Sequence, residues 1–386
     1  MFKVTILTVF CNILVGANAG ELGVKIEWNV PVPMRDGTIL RADVHRPDRG
    51  GPYPVLVQRT PYGKGGSFNR FVKAGYIVVS QDIRGRHKSE GKYKSYFTPR
   101  QSTQDAEDGY DTIEWASRLP DSNGKVGTFG NSYEALLQWR LAPLRPPSLM
   151  AMSACTIMAH FDNEQGAFRP MFLDFMIDHA PDMRRRANRP GVHTIQEALR
   201  LWTTGESEKW VNWLLWLELP REVFEDETEA VKYWLNNPYV DPWRHDEGCK
   251  AITVPNLDVV GWYDHANGNM LLFRTMVKEA KSEVARKGSH LIIGPWTHAI
   301  GRRKVGDIDF GSDAALDITA LRIRWFDYWL KGIQNGVDKD PPVRIFVMGE
   351  NKWQNERHWP LERSRPTGDT GGGLGPGPRA DRLIIL

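Results

Sequence analysis

The run Val126–Gly127–Thr128–Phe129–Gly130–Asn131–Ser132–Tyr133–Glu134–Ala135 sets a serine between a short β-prone segment and a helical one through Leu136, Leu137 and Trp139. A strand, a tight turn and a helix form the context in which a serine is held on a strained elbow with its hydroxyl exposed as a nucleophile. The Tyr133 amide, at the start of that helix, can donate to an oxyanion. Position 134 is Glu where the simple elbow pattern has a second Gly, and Ser132 read alone is equally well an ordinary helix N-cap. Two later segments tip the balance toward chemistry. Asn256–Leu257–Asp258–Val259–Val260–Gly261–Trp262–Tyr263–Asp264 is a β-run ending in a carboxylate. Ser289–His290–Leu291–Ile292–Ile293–Gly294–Pro295–Trp296–Thr297–His298 is a second, ending in an imidazole. A serine hydroxyl needs a base, and the base needs a carboxylate to fix its tautomer and stabilise its cation. Ser132, His298 and Asp264 supply that set, and the chemistry they predict is acyl transfer.

Catalytic groups of an open parallel sheet lie just beyond the carboxyl ends of its strands. The chain order Ser, Asp, His is the one required by an α/β-hydrolase sheet. Further motifs carry a resemblance to a known family. They are Val32–Pro33–Met34–Arg35–Asp36–Gly37–Thr38, Arg59–Thr60–Pro61–Tyr62, Asp82–Ile83–Arg84–Gly85–Arg86, and Asp108–Gly109–Tyr110–Asp111–Thr112–Ile113–Glu114–Trp115. With the elbow and the segments ending at Asp264 and His298, they span about Val30 to Leu361. The chain resembles the X-Pro dipeptidyl-peptidase-like α/β-hydrolases, a family that includes cocaine esterases and α-amino-acid ester hydrolases. The resemblance implies triad roles for Ser132, Asp264 and His298, and an oxyanion hole made by the Tyr62 hydroxyl and the Tyr133 amide. A phenol there donates a strong hydrogen bond without bringing a charge.

Departures from the family pattern limit what is carried over. Ala135 stands where Gly is usual, and Glu134 gives the Ser-Tyr-Glu variant of the amino-acid ester hydrolases. Those enzymes place two carboxylates shortly after the catalytic Asp to hold an ammonium group, and here the positions are Ala266 and Asn267. A cationic amine in a partly dry pocket needs an anion, so selectivity for amino-acid esters is not expected. Should an amine be bound, Glu134 and Glu164 are the first candidates. His265, Asn267 and Trp262 are expected to rim the substrate pocket. Arg84 and Arg86 are expected in an internal ion-pair and turn network, and Glu134 and Asp258 in structural roles.

The elements that must position these groups follow from punctuation and period. Ile39–His45, Val55–Arg59, Tyr76–Asp82 and Leu149–Cys155 read as strands. Ser102 or Thr103 caps a helix through Leu119. Between about Ala159 and Arg244 strand-like alternation stops, and Met171–His179, Thr194–Thr204, Glu206–Leu217 and Glu227–Leu235 read as helices. This predicts an inserted helical cap, 156–250, between two parts of a hydrolase domain, 20–155 and 251–338. Its tryptophans, Trp202, Trp210, Trp213, Trp216, Trp234 and Trp243, fit packing better than a pocket. Leu316–Ile333 reads as an amphipathic helix ended by Gly332. By resemblance, Val343–Met348 opens a jelly-roll domain that is truncated within 339–386. Trp325, Trp329 and that strand would then lie uncovered, and Thr367–Pro378 is Gly/Pro-rich and reads as disorder.

Composition agrees with a globular enzyme. Of 386 residues, 41% are hydrophobic and 25% charged, with net charge +3. There is no basic stripe that would suit nucleic acid, and the expected mature chain holds no apolar run long enough to span a bilayer. Lys3, the apolar run Val4–Gly16 and Ala17–Asn18–Ala19 read as a cleaved signal peptide, 1–19, implying export. Cys155 and Cys249 make no disulfide framework and are expected as buried free thiols. His87, His160, His179 and His193 show no metal-ligand spacing, so no metal is expected; triad chemistry requires no cofactor. The predicted function is hydrolysis of a small-molecule ester, with peptide hydrolysis of the X-Pro type and an inactive truncated relative as alternatives. The sequence is silent on oligomeric state.

Overall fold

The computed structural model describes residues 21–94, 103–159, 172–213, 215–237 and 244–363. The signal segment, Ser102, Glu164, Trp243 and the Gly/Pro-rich tail lie outside them. Its frame is a sheet whose first six strands are β1 (Val24–Pro33), β2 (Ile39–Pro47), β3 (Tyr53–Thr60), β4 (Ile77–Asp82), β5 (Ser122–Asn131) and β6 (Leu149–Cys155). They are followed by β7 (Leu257–Gly261) and β8 (His290–Gly294), a two-residue ribbon of β9 (Lys304–Val305) and β10 (Ile308–Asp309), then β11 (Val343–Val347) and β12 (Lys352–Glu356). Hydrogen-bonded order runs β1-β2-β4-β3-β5-β6, and then β7-β8-β11-β12. A parallel bridge between Met152 and Asn256 joins the two halves. The Met152 amide donates to Pro255 O, and the Thr156 amide to Val259 O. β2 is antiparallel to β1 and β4, whereas β3 to β8 run parallel. This is the α/β-hydrolase sheet.

Helices α1 (Asn69–Lys73), α2 (Asp105–Ser117) and α3 (Tyr133–Leu141) fall among the first strands. The insertion after β6 holds α4 (Phe172–Arg186), α5 (Ile195–Leu201), α6 (Ser207–Val211), α7 (Arg221–Phe224), α8 (Glu227–Asn236) and α9 (His245–Cys249). Then come α10 (Asn269–Glu279), α11 (Glu283–Gly288) and α12 (Ile318–Lys331). Thr194 caps α5 by accepting from the Glu197 amide, as its residue type favours. The helix expected over Glu206–Leu217 is broken: α6 ends at Val211, and a single 3₁₀ turn covers Trp216–Glu218. Trp210 is 4% exposed and packs against Trp213 and Phe224 at 5.5 and 5.3 Å, the packing role expected of these rings. Among the described residues, no helix is long and apolar enough to cross a membrane.

Three expectations need correction. α2 begins at Asp105 with Gln104 as cap residue and no side-chain cap bond, not at Ser102 or Thr103. Its first turn carries Asp105, Glu107 and Asp108, which favour a helix start electrostatically instead. β11 extends the central sheet, parallel to β8 and antiparallel to β12, instead of standing apart. Trp325, Val343 and Ile345 are therefore buried, at 2% exposure or less. The face of α12 that turns inward is Arg322, Trp325, Phe326 and Leu330, and it covers Phe129, Leu257, Val259 and Ile292 of the strands. Cys155 and Cys249 are buried free thiols, as expected.

Candidate active site

Ser132 follows β5 directly and has φ +56° and ψ −122°, a conformation that L residues rarely adopt. Holding it costs on the order of 1–3 kcal/mol, which the surroundings must offset. They do so through several bonds. The Ser132 amide donates to Cys155 O at 3.0 Å, and Ser132 O accepts from the Ala135 and Leu136 amides, both at 2.9 Å. Glu134, the departure from the simple motif, is half-buried beneath the turn. Its Oε2 accepts from the Asn131 amide at 3.2 Å and from Gln58 Nε2 at 3.0 Å. Burial holds its carboxyl above the usual range, and these hydrogen bonds pull the other way. Gly130, at φ +153°, is required because a Cβ there would stand 2.4 Å from Glu134 Cβ. From behind, Arg322 of α12 donates to Asn131 Oδ1 at 2.7 Å and to Ser153 Oγ at 3.1 Å. Tyr133 opens α3, and an amide in the first turn has no carbonyl of its own helix to bond.

The acid and the base are carried on two strand extensions that run side by side. The Trp262 amide donates to Gly294 O and the Tyr263 amide to Trp296 O, each at 2.9 Å. A Cβ on Gly261 would lie 2.0 Å from Trp296 O, so only glycine permits this approach. Trp296 is fully buried and donates from Nε1 to Ala314 O at 2.8 Å, which anchors the second extension. The result is an Asp264–His298 pair. His298 Nδ1 lies 3.0 and 3.2 Å from the two carboxylate oxygens of Asp264. The Asp264 side chain is buried, while 37% of the His298 side chain is open to solvent. The Ala266 amide donates to Asp264 Oδ1 at 2.9 Å and fixes the carboxylate's rotation. A carboxylate on Nδ1 leaves Nε2 as the acceptor, the tautomer a general base needs. Among the described residues, no hydrogen bond joins Ser132 Oγ to His298. Ser132, Asp264 and His298 instead share the carboxyl-terminal edge of the sheet, beyond β5, β7 and β8.

Tyr62 stands beside the elbow, its ring edge-on to that of Tyr133 at 6.4 Å between centroids. The turn that carries it is clamped by the Asp82–Arg86 motif. Arg86 Nε and His87 Nε2 both meet Pro61 O at 3.0 Å. Arg86 is wholly buried, and its Nη1 donates to His179 O of α4 at 2.9 Å. Arg84 pairs with Asp108 at 2.6 Å and Asp36 at 2.8 Å. These arginines build the internal network expected of them. His179 Nδ1 lies 3.0 Å from Glu227 Oε1 and 3.1 Å from the Tyr93 hydroxyl. The inserted helices thus reach the floor under Tyr62, a contact with no local signal in the sequence.

Two expected pocket residues separate. His265 lies at the site, its ring stacked on that of His298 at 5.1 Å between centroids. Trp262 points away: Nε1 donates to Phe346 O at 2.9 Å, and the ring meets Trp359 at 6.0 Å. Trp262 and Tyr263 form a turn directly after β7, closed by the Asp264 amide donating to Gly261 O at 3.2 Å, so strand alternation does not carry over to them. A cavity of about 390 Å³ lies between α12 and the strands, lined by Leu257, His290, Arg324, Trp325, Arg344 and Trp353 among others. It includes the first residues of β7 and β8, the end of the strands opposite to Asp264 and His298, so the strand-end chemistry lies elsewhere.

Comparison with known proteins agrees with this fold. The family model for X-Pro dipeptidyl-peptidase (S15 family) matches residues 36–300. The cocaine esterase of Rhodococcus sp. (strain MB1 Bresler) is 30% identical over 380 residues, covering 87% of this chain and 60% of its own. An aminopeptidase of a marine sediment Thaumarchaeota archaeon shares the fold with TM-score 0.62 and 22% identity, over 94% of this chain and 63% of that one. A CocE/NonD family hydrolase of Staphylococcus aureus does so with TM-score 0.59 and 21% identity, over 88% and 57%. The chain spans about 60% of the length of the curated relatives it matches over most of its own length. A matched segment that contains the elbow, both strand extensions and the clamped Tyr62 turn places this chain in the X-Pro dipeptidyl-peptidase (S15) family.

Proposed function

We propose that this protein is a serine hydrolase that cleaves small carboxylic esters through an acyl-enzyme. The Asp264–His298 hydrogen bond carries the reading, since it sets the imidazole tautomer beside an elbow that holds Ser132 at φ +56°. His298 Nε2 takes the proton as Ser132 Oγ attacks the carbonyl carbon. The tetrahedral oxyanion is met by the Tyr62 hydroxyl and the Tyr133 amide. His298 then gives its proton to the departing alcohol, and the C–O bond breaks. Water repeats the sequence on the acyl-serine and releases the acid. Esters are favoured over X-Pro peptides because Glu134, a candidate anchor for a peptide amino terminus, is committed to Gln58 and the Asn131 amide beneath the turn. Ala266 and Asn267 supply no anion beside Asp264. The test is a fluorophosphonate probe together with a short-chain nitrophenyl ester. Covalent labelling at Ser132 and a burst of nitrophenol are expected, and Ser132→Ala and His298→Ala should each lose several orders of magnitude in kcat. Folded protein that labels elsewhere, or not at all, refutes the reading.

A further inference from the structure

His265 has no part in that mechanism, yet it lies where a third metal ligand would. Asp264 Oδ1 is 3.0 Å from His298 Nδ1 and 3.6 Å from His265 Nδ1. One ligand atom from each of the three residues lies within 4.8 Å of the others. A zinc ion held tetrahedrally at about 2.0–2.1 Å sets neighbouring ligand atoms roughly 3.3 Å apart, and the two measured separations straddle that value. The imidazole planes are near-parallel, 29° apart, and each ring turns its Nδ1 to within 3.6 Å of the same carboxylate oxygen. That oxygen is held still by the Ala266 amide, as ligating carboxylates usually are. Both histidine side chains are about one-third open to solvent, which leaves an entry path.

We propose that Asp264, His265 and His298 form a binding site for a divalent transition cation of the zinc type, and that filling it switches the hydrolase off. The inhibitory half rests on the esterase reading; the binding half does not. In the active enzyme, Nδ1 of His298 carries the proton and Nε2 is the acceptor. A cation on Nδ1 takes that lone pair, so the one proton of a neutral imidazole must sit on Nε2. Nε2 is then a donor, and the Ser132 proton has no acceptor. The ion therefore blocks the base by fixing the wrong tautomer, without having to fill the substrate pocket. An Asp–His pair alone offers two ligands, and His265 raises the count to the three of an open zinc site. The sequence hid this set because His265 and His298 are brought together only by the pairing of the two strand extensions.

Two measurements test the proposal. Cobalt(II) titrated into Ser132→Ala protein should give the visible absorption of a bound tetrahedral ion, and zinc should displace it. In wild-type enzyme, zinc should inhibit nitrophenyl ester hydrolysis reversibly, with chelator restoring the rate. His265→Phe, which retains an aromatic ring against His298, should raise both half-effect concentrations by about tenfold or more. Each rate is compared with that variant's own metal-free rate. Absence of a cobalt spectrum, or equal zinc sensitivity in His265→Phe, overturns the site. A cobalt signal that needs His265 in a protein with no esterase activity upholds the site and refutes the hydrolase reading.

Discussion

Asp258→Asn should make the protein more stable at alkaline pH while leaving it nearly unchanged in acid. Asp258 is the second residue of β7, wholly buried, six residues before Asp264. Its Oδ1 accepts from Asn269 Nδ2 at 2.7 Å, and no hydrogen bond reaches Oδ2 among the described residues. Burial is the main influence on the carboxyl and raises it from 3.8 to about 7, with Asn269 and Asn256 opposing. As pH rises, the unfolded chain releases this proton first, while the folded chain keeps it. The stabilisation is complete below the unfolded value and is lost as pH climbs through about 7. A difference of about three units corresponds to roughly 4 kcal/mol, of which about 2 kcal/mol disappears between pH 5 and pH 7. Asparagine is neutral throughout and keeps an acceptor for Asn269. Urea unfolding of both proteins at pH 5, 6, 7 and 8 isolates the term, because every other titrating group cancels in the difference. Parallel stability curves for wild type and Asp258→Asn across that range would refute the assignment.

Two further outcomes follow from the site. Tyr62→Phe should lower kcat by roughly 10²–10³ with little change in KM, since it removes one oxyanion donor and keeps the ring; steady-state ester kinetics decide, and a variant at full rate removes Tyr62 from the oxyanion hole. Gly261→Ala puts a methyl group 2.0 Å from Trp296 O, so it should cost roughly 3 kcal/mol of stability and separate the extensions that bring Asp264 to His298. A variant with unchanged melting and activity contradicts that account of the pairing.

How much of this was legible in the sequence depended on how far apart the interacting residues lie. Groups that end a β-run were visible, because an apolar run followed by Asp264 or His298 states both the strand and its functional end. The strand Ile39–His45 was visible from its composition. β1 was not, because it lies at the sheet edge with most of its side chains exposed and buries only Val32 fully. Trp262 was misplaced because periodicity decides the side to which a residue turns only once the strand's end is known. The oxyanion expectation for Tyr62 came from family resemblance alone, since Pro61–Tyr62 has no local signature beyond a turn.

What remained hidden were the residues that hold the reacting groups still. Arg322 reaches Asn131 across 191 positions, and Arg86 reaches the carbonyl of His179 across 93. A buried guanidinium is costly unless its donors are satisfied, and donors spread in a fork are satisfied best by carbonyls and carboxylates from several elements at once. Arg86 donates from Nε and Nη1 only because the Tyr62 turn and α4 stand where they do, while its Nη2 has no hydrogen-bond partner among the described residues, so one side chain ties the Tyr62 turn to the inserted helices. The strained backbone of Ser132 makes the same demand on its own surroundings: Cys155 O, Glu134 and Arg322 must all be in place before φ +56° is tolerable. The reactive groups lie at strand ends and can be read one at a time, whereas their supports exist only as long-range sets, because the strain of the elbow is offset by several elements together and by none of them alone.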